Sequence, residues 1–275
     1  SGRLFDHSGT ITGNLDVELQ GTHSTTEDFM GTGNIRNLIL NGSGLNVDIG
    51  RATTIAGDLT ITQGTLDTNS SSNHALTVTG DVIIAASGNL TCNSSTVSVD
   101  SFTISANGTL DAPDASGSLT LNGVKDAWSF QNNSTNFNHN NGTITMTSSG
   151  HVKSVNANPM YNFIMNSSSS DSHNAIFRAH SGTDVIIAAN DVTATRGRIY
   201  GNTTSDNLTM GSLTIGSTGE FQASSGTTTI TKGSATAGHS GQPSAIEVVS
   251  GGTFTNNDGT VLLSSAYDQD LEFDG

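Results

Sequence analysis

Short segments in which an apolar residue alternates with Thr or Ser recur along the chain, at residues 59–62, 76–79, 102–105, 144–147 and 228–231. Successive side chains of a β-strand point to opposite faces, so this alternation places the apolar residues on one face and the hydroxyls on the other. The β-branched residues in these segments also favour strand over helix. The pattern therefore predicts an all-β protein of short strands.

Apolar positions two residues after a glycine recur at a nearly constant spacing. Leu66 precedes Leu90 by 24 residues, Leu90 precedes Leu110 by 20, and Ile199 precedes Phe221 by 22. A unit of this length holds two or three short strands but cannot bury its own apolar face, so successive units must stack. We predict a parallel β-helix, or β-solenoid, with turns rich in Gly, Asn and Ser. Its predicted interior includes Ile61, Leu66, Val78, Leu90, Ile104 and Leu110.

Two other folds fit parts of this sequence. The abundance of Gly, Ser, Thr and Asn is also typical of disordered chains, but disorder does not predict ordered apolar spacing. An antiparallel sandwich or barrel is the main rival, because Asn257-Asp258-Gly259 separates two strand-like segments as a hairpin turn would. The repeated unit length argues against this rival over residues 55–125.

The regularity of the repeat suggests three regions. Residues 1–54 are less regular and are interpreted as a capping or connecting region, residues 55–265 as the solenoid, and residues 266–275 as an acidic tail. Within the solenoid, residues 124–180 are irregular and concentrate aromatic residues, which we expect to fill wider coils. These aromatic residues are Trp128, Phe130, Phe137, Tyr161, Phe163 and Phe177.

Charge and hydropathy disfavour two classes of partner. The formal net charge is −15, and the nine Lys and Arg residues form no basic cluster, which argues against nucleic-acid binding. No segment approaches the roughly 20 apolar residues of a membrane helix, so we expect no membrane insertion. Cys92 is the only cysteine and is interpreted as a small core residue.

Carboxylates are the main candidates for chemistry. Glycoside hydrolysis needs two carboxylates about 5–10 Å apart, and six Asp residues are available, but each lies in or beside a turn, where Asp commonly forms local hydrogen bonds. We therefore expect no catalytic residue and no cofactor. The six residues are Asp81, Asp100, Asp111, Asp114, Asp184 and Asp191.

The acidic tail is the one candidate metal site. Asp268, Asp270, Glu272 and Asp274 alternate, so an extended tail would place all four acids on one face. Calcium prefers such oxygen ligands, but the tail lacks the glycine-containing spacing of a calcium loop. An acidic, solvated strand is the alternative interpretation.

The stretch from residues 59–66 through residues 119–123, followed by residues 137–146, resembles the β-helical repeat regions of phage fibre and capsid-decoration proteins and of bacterial surface adhesins. The resemblance covers residues 55–150 and returns at 205–265. It implies a structural or adhesive protein displayed outside a particle or cell, as a homotrimer or a lattice copy.

From this resemblance we expect a non-enzymatic phage virion fibre, spike or capsid-decoration element at the virion surface. The alternatives are an extracellular bacterial adhesin or matrix filament subunit at the cell surface and a polysaccharide-degrading tailspike. The expected partners are other copies of the chain and other virion or surface proteins, with a carbohydrate or host surface as a further ligand.

Overall fold

The computed structural model describes residues 2–6, 12–22, 27–30, 35–123, 128–153, 157–167, 173–179, 182, 184–203, 205–232, 244–264 and 270–274. These residues form an all-β protein whose parallel strands stack as a β-solenoid of about nine turns. The predicted fold class is therefore confirmed. No helix long and apolar enough to span a membrane occurs among the described residues.

Twenty-three strands make up the fold. In chain order they are β1 Gly2–Asp6, β2 Leu15–Gln20, β3 Glu27–Met30, β4 Ile35–Ile49, β5 Thr53–Ile55, β6 Leu59–Asp67, β7 Leu76–Thr91, β8 Thr96–Ile104, β9 Thr109–Asp111, β10 Ser118–Leu121, β11 Trp128–Asn132, β12 Phe137–Asn138, β13 Thr143–Met146, β14 Gly150–Lys153, β15 Asn162–Asn166, β16 Asn174–Arg178, β17 Asp184–Gly201, β18 Asn207–Gln222, β19 Thr227–Ile230, β20 Ser244–Val248, β21 Thr253–Thr255, β22 Thr260–Leu263 and β23 Asp270–Phe273.

Four strands are longer than the sequence pattern suggests, at 15 to 18 residues. Their length arises because backbone pairing continues around the corners of a coil. Strand β7, for example, pairs through its first residues with β5 and through its later residues with β6 and β9. Asn37 to Leu40 and Leu45 to Asp48, which lie on either side of Gly42 and Gly44, likewise belong to the single strand β4.

The chain divides into two compact units. The first unit comprises Ser1–Gly123 and Phe130–Thr143, and the second comprises Val124–Ser129 and Ile144–Gly275. In the first unit, residues at equivalent positions of successive coils pair directly and form buried columns. Each buried Leu side chain in such a column contributes roughly 1.5–3 kcal/mol of transfer free energy. One column contains Val47, Leu66, Leu90, Leu110 and Phe137.

The six residues predicted to point inward are all at most 1% exposed. The coil length inferred from Leu66, Leu90 and Leu110 is also confirmed, because these three residues are register partners on adjacent strands. Cys92 is fully buried, in agreement with its interpretation as a core residue.

Glycine and asparagine shape the turns as predicted. Gly64 has a φ of +90°, a conformation that favours glycine, and it pairs with Gly88 on the next coil. A Cβ atom on Gly88 would overlap the carbonyl oxygen of Ile61, so the coils approach too closely there for any side chain. Positive φ angles also occur at Asn69, Asn73, Asn93, Asn107, Asn140 and Asn141.

The second unit repeats this arrangement. Phe163, Val192, Leu213 and Ile246 form one buried column across β15, β17, β18 and β20. The hairpin interpretation of residues 257–259 is wrong. Strands β21 and β22 on either side of that turn pair in parallel with β18 and β19, and not with each other.

Candidate functional site

A cleft of about 310 Å³ lies in the second unit, where the parallel strands β14, β16 and β17 end. Lys153 and Arg178 are register partners at the ends of β14 and β16. The coil continues beyond β17 into the turn at Asn202, whose backbone N–H donates to the carbonyl oxygen of Phe177 at 2.8 Å. Lys153, Arg178 and Asn202 therefore occupy one position on successive coils. The lining residues of the cleft are Trp128, Lys153, Arg178, Ala179, Gly182, Asn202, Thr203 and Asp206.

Trp128 and Arg178 form one wall of this cleft. The guanidinium carbon of Arg178 lies 5.3 Å from the centroid of the Trp128 ring, within range for a cation–π interaction. The Arg178 Nε–H donates to Nδ1 of His151 at 2.9 Å. The imidazole of His151 also contacts Trp128 edge-on, with ring centroids 5.8 Å apart. These contacts hold the guanidinium in one orientation.

His151 supports this arrangement as a neutral imidazole. Burial lowers the pKa of His151, and the positive charge of Arg178 lowers it further. Its Nδ1 atom accepts the hydrogen bond from Arg178, so that nitrogen carries no proton. The cleft thus has two basic side chains, Lys153 and Arg178, beside a neutral histidine.

Asp206 is the acidic residue among those that line the cleft, and its carboxylate stabilises the neighbouring turn at Thr203. It is 4% exposed and accepts hydrogen bonds from the backbone N–H of Thr203 at 2.8 Å and from its hydroxyl at 2.6 Å. Both carboxylate oxygens therefore hold the turn that borders the cleft. Such a pocket, with one aromatic wall, two cations and amide and hydroxyl groups, is chemically suited to an anionic ligand.

No protein family, curated protein or solved structure matches this chain.

The aromatic residues of segment 124–180 divide into two groups. Phe130 and Phe137 are buried in the first unit and Phe163 and Phe177 in the second, as predicted. The expectation is wrong for Trp128 and Tyr161, which are half-buried and carry cationic partners on their outward side. The ammonium nitrogen of Lys232 lies 5.9 Å from the Tyr161 ring centroid, outside the cleft.

Sequence reasoning did not find the cleft. Its signal is the 25-residue spacing of Lys153 and Arg178, close to one coil length. The coils in this segment vary in length, so the sequence alone gave no register in which to align them.

Among the six Asp residues considered for catalysis, Asp114 has the local turn role expected, since it accepts from the backbone N–H of Ser116 at 2.8 Å, and several also bond to other coils. Four of them accept hydrogen bonds from residues 20 to 23 positions away, on neighbouring coils. Asp81 accepts from Ser101, Asp114 from Ser94, Asp184 from Asn207 and Asp191 from Ser212, at 2.7–2.8 Å. Asp100 and Asp111 accept through their backbone carbonyls from Gly123 and Cys92. The carboxylates of the first four thus connect neighbouring coils.

The acidic tail is only partly described. Asp268 and the side chain of Asp270 lie outside the described residues. Glu272 accepts a hydrogen bond from the hydroxyl of Ser244 at 3.0 Å, and Asp274 is exposed. In the part of the chain that the structure describes, no group of three or more His, Cys, Asp or Glu residues is arranged to hold a metal ion.

Proposed function

We propose that this chain is a non-enzymatic structural or adhesive surface protein, in the first place a phage virion fibre, spike or capsid-decoration element. The observation that carries the proposal is the continuous parallel pairing of successive coils. Strands β17 and β18, for instance, pair in parallel from Asp184–Asn207 to Tyr200–Gln222, with three register shifts along the way. Continuous backbone pairing stiffens a scaffold without helices or disulfides.

The outward face of the coils supports a display role. Thr54, Thr77, Ser98 and Thr120 lie at one position of successive coils in the first unit. Small hydroxyl side chains at a repeated position suit a scaffold that presents surface loops and clefts. Four of the six carboxylates considered for catalysis instead connect coils, which favours the non-enzymatic proposal over a polysaccharide-degrading tailspike.

Self-association, as a homotrimer or lattice copy, is part of the same proposal. Exposed apolar side chains on β22 and β23 support it, since Val261, Leu262, Leu271 and Phe273 are 37–58% exposed. Apolar surface of this kind is commonly covered by a partner. Size-exclusion chromatography with light scattering tests this, with a trimer or larger species expected. A monomeric mass at every concentration would remove self-association from the proposal.

The main proposal is tested by locating the protein in its source material. An antibody raised against the chain, detected with gold particles, would be applied to the source material and imaged by cryo-electron microscopy. We expect gold on capsids or tails. Gold on cell envelopes or free filaments would overturn the virion assignment and favour a bacterial adhesin or matrix filament. Release of reducing ends from polysaccharides by the purified chain would overturn the non-enzymatic assignment.

A further inference from the structure

We propose that the cleft bounded by Trp128, Lys153 and Arg178 binds an anionic saccharide, a sugar that carries a carboxylate or sulfate group. The inference deepens the proposed function and rests on it, because it identifies the surface through which a displayed scaffold makes an adhesive contact.

The distribution of charge points to an anion. The chain carries a formal net charge of −15 and nine Lys and Arg residues, and two of these nine line this one cleft. Both oxygens of the neighbouring Asp206 already accept hydrogen bonds from Thr203, so that carboxylate is held away from competing for the cations. A cleft with local positive charge on an acidic protein concentrates anions at that place.

Arg178 is preorganised for a planar anionic group. Its Nε–H donates to Nδ1 of His151, its Nη2 lies 3.3 Å from Nε2 of the same ring, and its guanidinium carbon lies over the Trp128 ring. The two Nη atoms of a guanidinium carry four N–H donors, more than these contacts use. A fixed guanidinium forms paired hydrogen bonds with carboxylate or sulfate oxygens at little entropic cost. Lys153, in register on the adjacent strand, adds a second charge next to it.

The rest of the lining fits a sugar better than a bare ion. Trp128 is half-buried and supplies apolar ring surface, against which the C–H face of a pyranose packs. Asn202 and Thr203 are exposed and also line the cleft. The Asn202 amide can donate to or accept from sugar hydroxyls, and the Thr203 hydroxyl, which donates to Asp206, can accept from them. The volume of about 310 Å³ lies at the lower end of small-molecule sites and suits one sugar unit of a longer chain.

The test is a titration of the purified full chain followed by calorimetry. The probes are glucuronate, a galacturonate trisaccharide, N-acetylneuraminate and a sulfated heparan disaccharide, each beside its neutral counterpart, together with inorganic sulfate. We expect at least one acidic sugar to bind more tightly than both its neutral counterpart and inorganic sulfate. No binding by any acidic probe at millimolar concentration, equal binding of the neutral sugars, or equal binding of inorganic sulfate would each overturn the proposal.

Variants locate the binding. We expect Arg178→Gln to weaken the affinity by about 10-fold to 100-fold, as loss of a charge-assisted pair implies, and Lys153→Gln to weaken it less. Lys232→Gln is the matched control, since it removes the same charge from a cation–aromatic pair of the same unit outside the cleft. Unchanged affinity in both cleft variants, or an equal loss in the control, would overturn the assignment. Thermal unfolding checks that each variant is folded. If Arg178→Gln is unstable, the affinity of Lys153→Gln tests the assignment in its place.

The outcomes separate this inference from the proposed function. Gold on virions without sugar binding would leave the structural function standing and remove the ligand site. Sugar binding that depends on Arg178, with gold only on cell envelopes, would retain the site and remove the virion assignment.

Discussion

The carboxylate of Asp58 accepts a hydrogen bond from the backbone N–H of Asp81, one coil further along the chain, at 2.9 Å. Asp58 in turn donates its own backbone N–H to Oδ1 of Asn37 at 2.9 Å, on the preceding coil. Gly80 makes this contact feasible, because a Cβ atom there would overlap Oδ1 of Asp58. An amide and an acidic side chain thereby connect the corners of these three successive coils.

Replacement of Asp58 tests the contribution of this corner to stability. Asp58→Ala leaves the N–H of Asp81 without its acceptor, and we expect the free energy of unfolding to fall by about 1 kcal/mol, since water reaches this exposed site. Asp58→Asn keeps an oxygen acceptor and should lose less. Urea unfolding measures both. Equal losses in the two variants would contradict the role of the acceptor.

Gly88 marks the closest approach of two coils. In Gly88→Ala the new methyl group would overlap the carbonyl oxygen of Ile61, so we expect a loss of roughly 1–3 kcal/mol in the free energy of unfolding. Ser87→Ala, at the exposed neighbouring position, is the control and should change stability little. A Gly88→Ala protein as stable as the control would show that the coils can separate at no cost.

Ile104 occupies an interior column between Ile84 and Asn132. Ile104→Asp would bury an unpaired charge, and we expect a loss of several kcal/mol, of order 3 or more, or failure to fold. Thr103→Asp places the same carboxylate on the outward side of the same strand and should be tolerated. Thermal unfolding compares the two, and similar midpoints would remove the register proposed for β8.

We expect the protein to lose stability in mild acid because of the partly buried residue His139. Burial lowers the pKa of His139 below the ordinary value of 6.5, and its Nδ1 accepts a hydrogen bond from the backbone N–H of Asn141 at 2.9 Å. The unfolded chain therefore binds a proton at higher pH than the folded chain, so stability falls as the pH drops below about 6.5. His139→Gln should reduce this pH dependence. Unfolding midpoints at pH 7.5 and pH 5.5 measure it, and an identical pH dependence in the variant would exclude His139 as a cause.

The interior of the coils was predictable because it repeats. Leu66, Leu90 and Leu110 each follow a glycine by two residues, and this local pattern is enough to align them before any contact is known. The role of Asp81 was not predictable in the same way. Its bond to Ser101 spans 20 residues, and the sequence around it is equally typical of a turn that bonds only to itself.

The cleft was even less predictable from the sequence than the bond of Asp81. The aromatic residues of segment 124–180 are visible in sequence, but whether each points inward or outward depends on the strand register. Phe163 and Phe177 pack edge-to-face inside the second unit with ring centroids 4.9 Å apart, whereas Trp128 lies outside against Arg178. A shift of one residue in register would exchange these sides.

The sequence by itself determined the strand-forming segments, the length of a coil and the residues that fill it, because alternation and glycine spacing are local properties that stacking merely repeats. Only the tertiary structure decided which polar residues meet. Asp58 meets Asp81, and Trp128 meets Arg178, since residues separated by one or two coils become neighbours only once every turn between them has its final length.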